Sequence, residues 1–164
     1  MYFDYIKGYD CARARNETAK LAINHNFNYI LMIDSDVSVP KDTAVKLLEC
    51  ETDIALGWYY KKRSITDETV IFNFGKDYTN ENMIYGKTLL DVNVPFIVKG
   101  GGLGISLVNV NVFRKMQYPY FRYVIYDDTV LSEDLYFCTE ARKNGMEVKC
   151  NPSVKGNHIY EVSI

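Results

Sequence analysis

The sequence predicts an α/β fold with a mostly parallel central sheet, helices on both faces and a small antiparallel edge. The apolar run at residues 29–33 is typical of a strand buried on both faces of such a sheet. Residues 29–60 have the pattern strand, helix, strand, which implies a right-handed crossover and a parallel pair. A length of 164 residues favours one domain over residues 1–164.

The composition is that of an ordinary globular protein, with 48% hydrophobic and 24% charged residues. A net charge of −2 gives no sign of a nucleic-acid partner. We find no apolar run of membrane-spanning length and no leader, so we expect no transmembrane segment and a cytoplasmic location. The scattered spacing of the four cysteines predicts reduced thiols packed as small apolar side chains: Cys11, Cys50, Cys138 and Cys150.

The first predicted helix covers residues 11–24 and begins after Asp10, which can cap it. Small apolar residues recur on one face at helical spacing. Arg13, Arg15 and Asn16 lie in the opening turns. Without a partner, the preferred interpretation is a solvated helix surface.

Two carboxylates, Asp34 and Asp36, follow the central strand directly. In open α/β sheets, ligands bind at the carboxyl ends of the strands. Two hard oxygen ligands at that point suit Mg²⁺ or Mn²⁺ bridging to a diphosphate. The alternative is that these residues form a polar turn that ends the strand.

A second helix is predicted after Pro40, followed by a strand over residues 53–60. Trp58 and two tyrosines stand near its end, followed by Lys61, Lys62 and Arg63. Aromatic side chains next to cations could flank an anionic substrate. The alternative is a strand end with a solvated run of charge.

Residues 64–90 give the weakest pattern, with short strands indicated at 70–74 and 83–85. A glycine-rich stretch follows at residues 100–104. Backbone without Cβ can approach a ligand closely, so Gly101 and Gly102 are candidates for contacts to sugar or phosphate oxygens. The alternative is a bulge between two strand segments.

The last third predicts a strand at residues 105–108, then a short helix, and later a helix that begins with Glu133 and Asp134 and ends at Gly145. The helix dipole favours acidic residues in a first turn even without a functional role.

A final strand is predicted at residues 146–150, and His158 lies in the tail. A histidine near a terminus is usually incidental, although imidazole is also a common metal ligand.

Taken in order, these features resemble the GT-A fold glycosyltransferases, and among them the family-two-like members. Each motif is short, so the specificity lies in their order along the chain. The residues that carry the resemblance are Arg13 and Asn16, the Asp34-Ser35-Asp36 segment similar to a D-x-D motif, the glycine-rich stretch 100–104, the Glu133-Asp134 pair and His158.

The resemblance implies a single GT-A-like, Rossmann-like domain that moves a sugar from a nucleotide diphosphate sugar to an acceptor hydroxyl, with inversion. A Mn²⁺ or Mg²⁺ ion would be held by Asp34, Asp36 and His158. Asp134, or in second place Glu133, would take the proton of the acceptor. Donor-binding contacts would come from Arg13, Asn16, Asp34, Trp58, Gly101 and Gly102.

One feature departs from the family, in which a strand and a helix that hold the nucleotide base precede this region. The base pocket would then be reduced, completed by another subunit of a homo-oligomer, or lost. Two alternatives therefore stand beside the transferase. One is a truncated, non-catalytic nucleotide-sugar-binding domain. The other is a haloacid dehalogenase-type phosphatase with Asp34 as nucleophile and Asp127-Asp128 or Glu133-Asp134 as magnesium ligands.

Overall fold

The computed structural model describes residues 2–62, 67–72, 83–126 and 129–159, with residues 126 and 129 described by their backbone alone. Its helices are α1 (Cys11–Asn24), α2 (Thr43–Leu48), α3 (Gly86–Leu90), α4 (Asn111–Lys115) and α5 (Glu133–Lys143). Its strands are β1 (Tyr29–Ile33), β2 (Val37–Ser38), β3 (Ile54–Trp58), β4 (Glu68–Phe72), β5 (Met83–Tyr85), β6 (Phe96–Ile97), β7 (Gly100–Gly101), β8 (Ile105–Asn109), β9 (Val124–Tyr126), β10 (Thr129–Leu131), β11 (Val148–Lys155) and β12 (Asn157–His158).

The central sheet has five strands in the order β1-β8-β3-β11-β6. Only β3 and β11 pair in parallel, and the other three neighbouring pairs are antiparallel. The α/β class is confirmed, but the prediction of a mostly parallel sheet is wrong. Strands β1 and β3 do point the same way, as the crossover implies, but β8 lies between them in the opposite direction. An apolar pattern reports burial and carries no information on strand direction.

Strand β1 lies at one end of this sheet, and its burial alternates along the strand. Ile30 and Met32 face the core, whereas Tyr29, Leu31 and Ile33 are each about two-fifths exposed. The prediction of a strand buried on both faces is therefore wrong for β1. The strand buried at every position is β3.

Two apolar clusters cover the two faces of the sheet. The larger one joins α1, α4 and α5 to the sheet and includes Ala19, Phe113 and Phe137. The smaller one packs α2 against β3 and β8 through Leu47 and Leu107. This layering places the first turns of α1 and α5 close to the end of β1.

The smaller sheets sit around the central one. Strand β4 pairs with β5 and β7, β9 pairs with β10, and β2 pairs with β12. The predicted strand over residues 70–74 ends at Phe72 in the described part, since residues 73 and 74 lie outside it. Pairing of β2 with β12 places His158 opposite Val37 and therefore close to Asp36.

Several predicted elements are confirmed. Helix α1 covers residues 11–24, and the Asp10 side chain accepts a hydrogen bond from the backbone N–H of Arg13. Helix α5 ends at Lys143, and Gly145 follows two residues later with a positive φ of 79°. No described helix is long and apolar enough to cross a membrane.

The four thiols are free, and Cys50, Cys138 and Cys150 are buried as expected. Cys11, however, is exposed, because it lies in the first turn of α1 at the protein surface.

Candidate active site

A buried arginine connects the end of β1 to the start of α5. The Arg15 guanidinium donates through Nη2 to both carboxylate oxygens of Asp34, at 3.1 and 3.3 Å. Its Nη1 donates to Glu133 Oε1. Arg15 and Glu133 are both buried, whereas the Asp34 side chain is 40% exposed. One guanidinium thus holds two carboxylates that are far apart in the sequence.

The helical repeat explains why Arg15 points inward. It lies three residues after Ala12 and four before Ala19, and both alanines face the core. The small alanine side chains bring α1 close to the sheet, and the long arginine side chain reaches past them to the strand end. Asp34 is fixed there because its backbone N–H donates to the carbonyl of Gly104 at 3.0 Å.

The pKa values of this network follow from burial and charge. Burial by itself would lower the pKa of Arg15, but Asp34 and Glu133 outweigh it and the pKa is raised, so Arg15 stays charged. Burial raises the pKa of Glu133, as does Asp134, against the opposing effect of Arg15. Because burial and Asp134 raise its pKa, Glu133 is a stronger base than an ordinary glutamate.

The second carboxylate of the predicted D-x-D motif has a cation of its own. Asp36 accepts a hydrogen bond from Lys62 Nζ in a half-exposed ion pair. This hydrogen bond holds the pKa of Asp36 below its usual value. Lys62 belongs to the predicted basic run after β3, whose third member, Arg63, lies outside the described residues.

His158 lies on the other side of Asp36. The backbone N–H of Ile159 donates to the Asp36 carbonyl at 2.7 Å, which ties the tail to this turn. His158 Nδ1 lies 2.7 Å from the carbonyl oxygen of Tyr60. Because a carbonyl can only accept, Nδ1 carries the proton, and in the neutral ring Nε2 holds the lone pair.

The donor atoms near this turn suit a divalent cation chemically. A histidine fixed by a carbonyl through its other nitrogen is a common metal ligand, and Asp36 adds a hard oxygen. The four carboxylates of Asp34, Asp36, Glu133 and Asp134 also outnumber the cations of Arg15 and Lys62. Among residues 2–62, 67–72, 83–126 and 129–159, however, no three His, Cys, Asp or Glu residues are grouped so as to hold a metal.

Asp134 is more accessible than Glu133. It is partly exposed, and its Oδ1 accepts from the Ser132 hydroxyl and from the backbone N–H of Leu135, the latter at 2.8 Å. Neither donor is a cation, so the carboxylate remains open to a substrate hydroxyl. Of the two predicted bases, Asp134 is the more exposed to solvent.

The glycine-rich stretch serves close packing. Gly101 and Gly102 are both buried, and the N–H of Gly102 donates a hydrogen bond to the Val70 carbonyl at 3.0 Å. A Cβ on Gly101 would lie 2.7 Å from Ile71, and one on Gly102 would lie 2.9 Å from the Tyr59 hydroxyl. The structure therefore does not support the prediction that these glycines present their backbone to a sugar.

Gly104 is the glycine that borders the carboxylates. Its N–H donates to the Tyr59 hydroxyl at 3.2 Å, and a Cβ there would lie 2.8 Å from Asp34 Oδ2. The sequence places Gly104 in the glycine-rich stretch but does not distinguish it from its neighbours.

Two further predicted substrate contacts are structural. Trp58 is fully buried, and its indole N–H donates to the Pro152 carbonyl at 2.7 Å, so Trp58 is a core residue. The buried Asn16 amide donates to the carbonyls of Ala12 and Phe121, and its oxygen accepts from two backbone N–H groups. Asn16 therefore holds the segment around Phe121 and has no polar group left for a nucleotide.

Arg13 is separate from the carboxylates. Two residues of α-helix correspond to about 200° of rotation, so Arg13 and Arg15 lie on nearly opposite sides of α1. The Arg13 guanidinium lies over the ring of Tyr9, 4.2 Å from its centroid. The resemblance points to Arg13 and assigns no role to Arg15, and the inward alanine stripe is the signal that distinguishes the two arginines.

Comparison with solved structures bears on the fold. The chain aligns with A197 from STIV at a TM-score of 0.66 and 19% identity, over 94% of this chain and 70% of A197. It aligns with GalNAc-T7, solved with UDP, GalNAc and Mn²⁺, at a TM-score of 0.57 and 12% identity, over 93% of this chain. The fold is therefore GT-A-like.

The GT-A-like chain spans only 31% of GalNAc-T7, so the activity of that whole protein does not transfer with the fold. No protein-family model and no curated protein matches the sequence. The phosphatase alternative gains nothing from these comparisons, and two of its proposed ligands, Asp127 and Asp128, lie outside the described residues.

Proposed function

We propose that this protein is a metal-dependent glycosyltransferase that moves a sugar from a nucleotide diphosphate sugar to an acceptor hydroxyl with inversion. The observation that carries the proposal is the Arg15 bridge. It holds a strand-end carboxylate, Asp34, next to the start of α5, where Glu133 and Asp134 lie. In a GT-A-like fold, this arrangement supports a donor end, where the nucleotide sugar would bind, beside a base end, where the acceptor would lose its proton.

The donor end comprises Asp34, Asp36 and His158. These three residues are not grouped as a ready metal site, so a Mn²⁺ or Mg²⁺ ion would have to draw them together, and it would then neutralise the charge that builds on the departing diphosphate. Lys62 is already bound to Asp36, and its mobile ammonium group can turn from the carboxylate to a phosphate oxygen. Over the two ends together, the four carboxylates outnumber the cations of Arg15 and Lys62, and this favours uptake of a cation together with the anionic donor.

The base end is Asp134. As the acceptor oxygen bonds to the anomeric carbon and the bond to the diphosphate breaks, Asp134 takes the hydroxyl proton. A single displacement of this kind inverts the anomeric carbon. Glu133 is engaged by Arg15, so its role is to position the first turn of α5. Arg15 in turn orients the Asp34 carboxylate, which faces the donor.

The experiment that tests the proposal is calorimetric titration with UDP, GDP and their common sugar conjugates, with and without Mn²⁺. We expect Mn²⁺-dependent binding of one nucleotide, and loss of that binding in Asp36→Ala. The matched control is Asp42→Ala, since Asp42 also pairs with a lysine, Lys46, but is not one of the proposed ligands.

Unchanged binding in Asp36→Ala would contradict the metal assignment. If none of the nucleotides binds, the transferase proposal fails for this chain. If a nucleotide sugar binds but no acceptor is glycosylated, the non-catalytic binding domain is the better description.

A further inference from the structure

A cleft of about 540 Å³ lies between the first half of α1 and the segment that follows α4. We call it the arginine cleft, because Arg13 and Arg122 stand on its two walls. Exposed tyrosines contribute apolar surface beside both arginines. The cleft is lined by Asp10, Ala12, Arg13, Asn16, Glu17, Tyr118, Phe121, Arg122 and Tyr123.

The acidic groups of the arginine cleft are already engaged. Asp10 caps α1 by accepting from the N–H of Arg13, and Glu17 pairs with Lys20 at 2.9 Å. Neither carboxylate forms an ion pair with Arg13 or Arg122 in the described part of the chain.

The two guanidiniums are held by aromatic rings instead. Arg13 lies 4.2 Å from the centroid of the Tyr9 ring, and Arg122 lies 4.6 Å from that of Tyr136. In the described part of the chain, neither of them forms an ion pair. A guanidinium held over a ring keeps N–H donors in a planar fork that suits a phosphate or a carboxylate.

The cleft is connected to the base end of the proposed active site through Tyr123. Arg122, its neighbour in the cleft, lies 4.6 Å from the centroid of the Tyr136 ring on α5. Burial raises the pKa of Tyr123 to about 12, and the Glu133 carboxylate adds to this rise, so the Tyr123 hydroxyl stays protonated. The segment of Arg122 and Tyr123 thus forms a wall of the cleft and also contacts the first half of α5. A molecule in the cleft would have its far end beside Glu133 and Asp134.

We propose that the arginine cleft binds the anionic group of the acceptor, a phosphate or a carboxylate carried by a sugar-like molecule. This inference rests on the proposed function, and it names the substrate class at the base end. Arg13 and Arg122 bind the anion. Tyr118 and Tyr123 offer flat apolar faces to the ring of the acceptor.

The geometry favours the acceptor over the donor as the source of the anion. Of the proposed donor ligands, Asp36 directly precedes β2, and His158 lies in β12, which pairs with β2. Arg122, the other arginine of the cleft, lies over the ring of Tyr136, about one turn of α5 after Glu133, so the cleft borders the base end and not the donor ligands. The anion in the cleft therefore belongs to the second substrate.

The test uses glucose 6-phosphate, glucuronate and glucose as probes, titrated calorimetrically into the protein and into Arg13→Gln and Arg122→Gln. We expect the two anions to bind about tenfold more tightly than glucose, and each variant to lose about tenfold in affinity for them. The control is Arg114→Gln, an exposed arginine on α4 that bonds to Asn111. Thermal unfolding of each variant checks that it folds.

Equal affinity of the wild type and the two variants, or no preference for the anions over glucose, would overturn the inference. So would competition between glucose 6-phosphate and UDP, because the cleft would then hold the donor phosphate. Donor binding in Mn²⁺ is measured separately. If it occurs and the anions do not bind, only the cleft assignment fails; if the anions bind and no donor does, the transferase proposal fails and with it the acceptor role.

Discussion

Arg15 is the residue on which the candidate site depends most. Its guanidinium is the cation that Asp34 and Glu133 share, and both Arg15 and Glu133 are buried. A buried ion pair is weak evidence of stability as a pair, because its desolvation is costly. Removal of one partner, however, leaves a buried charge without compensation, and that effect is large.

We therefore expect Arg15→Met to lower the free energy of unfolding by about 3 kcal/mol at neutral pH. Methionine keeps much of the length and the apolar contacts of the arginine, so the loss reports the charge. Urea denaturation followed by circular dichroism measures it. Arg114→Met, at an exposed position, is the control and should change stability little.

A loss of well under 1 kcal/mol in Arg15→Met would mean that water or a proton compensates Glu133 in the variant. The Arg15 bridge would then have no energetic importance, and the argument for a fixed base end would lose its basis.

At the residue scale, a candidate site residue can be recognised from the sequence when its immediate neighbours in the chain mark it. Asp34 and Asp36 are recognisable because they end an apolar run, and Glu133 and Asp134 because they open a helix. Arg15 is not recognisable in this way, since its partner Glu133 is 118 residues away. A side chain whose role depends on a distant partner leaves only a local trace, here its place in a stripe of alanines.

At the scale of elements, Asn16 joins α1 to the segment after α4. Its side chain exchanges hydrogen bonds with the backbone of Tyr120 and Phe121, and the rings of Tyr120 and Phe121 pack on Phe113. The segment forms one wall of the arginine cleft, so the shape of the cleft depends on this one buried amide.

We predict that Asn16→Ala lowers the free energy of unfolding by about 2–4 kcal/mol, because buried backbone groups of Tyr120 and Phe121 lose their partners. The variant should also lose the binding of glucose 6-phosphate, if the arginine cleft binds it. Chemical denaturation gives the first quantity and calorimetry the second. Asn24→Ala, at the exposed end of α1, is the matched control. Equal stability of the two variants would mean that the segment holds its position without Asn16.

Element types were predicted better than their arrangement. The bounds of α1 and the end of α5 follow from Asp10 and Gly145, which act on their neighbours in the chain. The order of the sheet depends on β8, which inserts between β1 and β3 from a distant part of the chain. Pairing of that kind is decided by which apolar faces fit together, and the local pattern does not contain this information.

At the scale of the whole molecule, protonation of the site is linked to folding. The pKa of Glu133 is raised in the folded protein, whereas that of Asp36 is lowered, chiefly by Lys62. A raised pKa makes the folded state bind a proton before the unfolded chain does, so this contribution to stability grows as the pH falls. The lowered pKa of Asp36 stabilises the folded state above the usual value of 3.8, and this contribution is lost as the pH falls below that value. The two contributions therefore act in different pH ranges.

We predict that Glu133→Gln removes the first of these contributions. Between neutral pH and the usual glutamate value of 4.5, the wild type should gain stability relative to Glu133→Gln as the pH falls, because Glu133 takes up a proton in the folded state. Urea denaturation of both proteins at intervals of pH gives the difference between their free energies of unfolding. The contributions of the other carboxylates are common to both proteins and cancel in this difference. Glu140→Gln, on the same helix and paired with Lys143, should show no such trend. A difference that is flat over this range would show that Arg15 keeps Glu133 ionised, and Glu133 would then be an anchor of the site at every pH at which the protein folds.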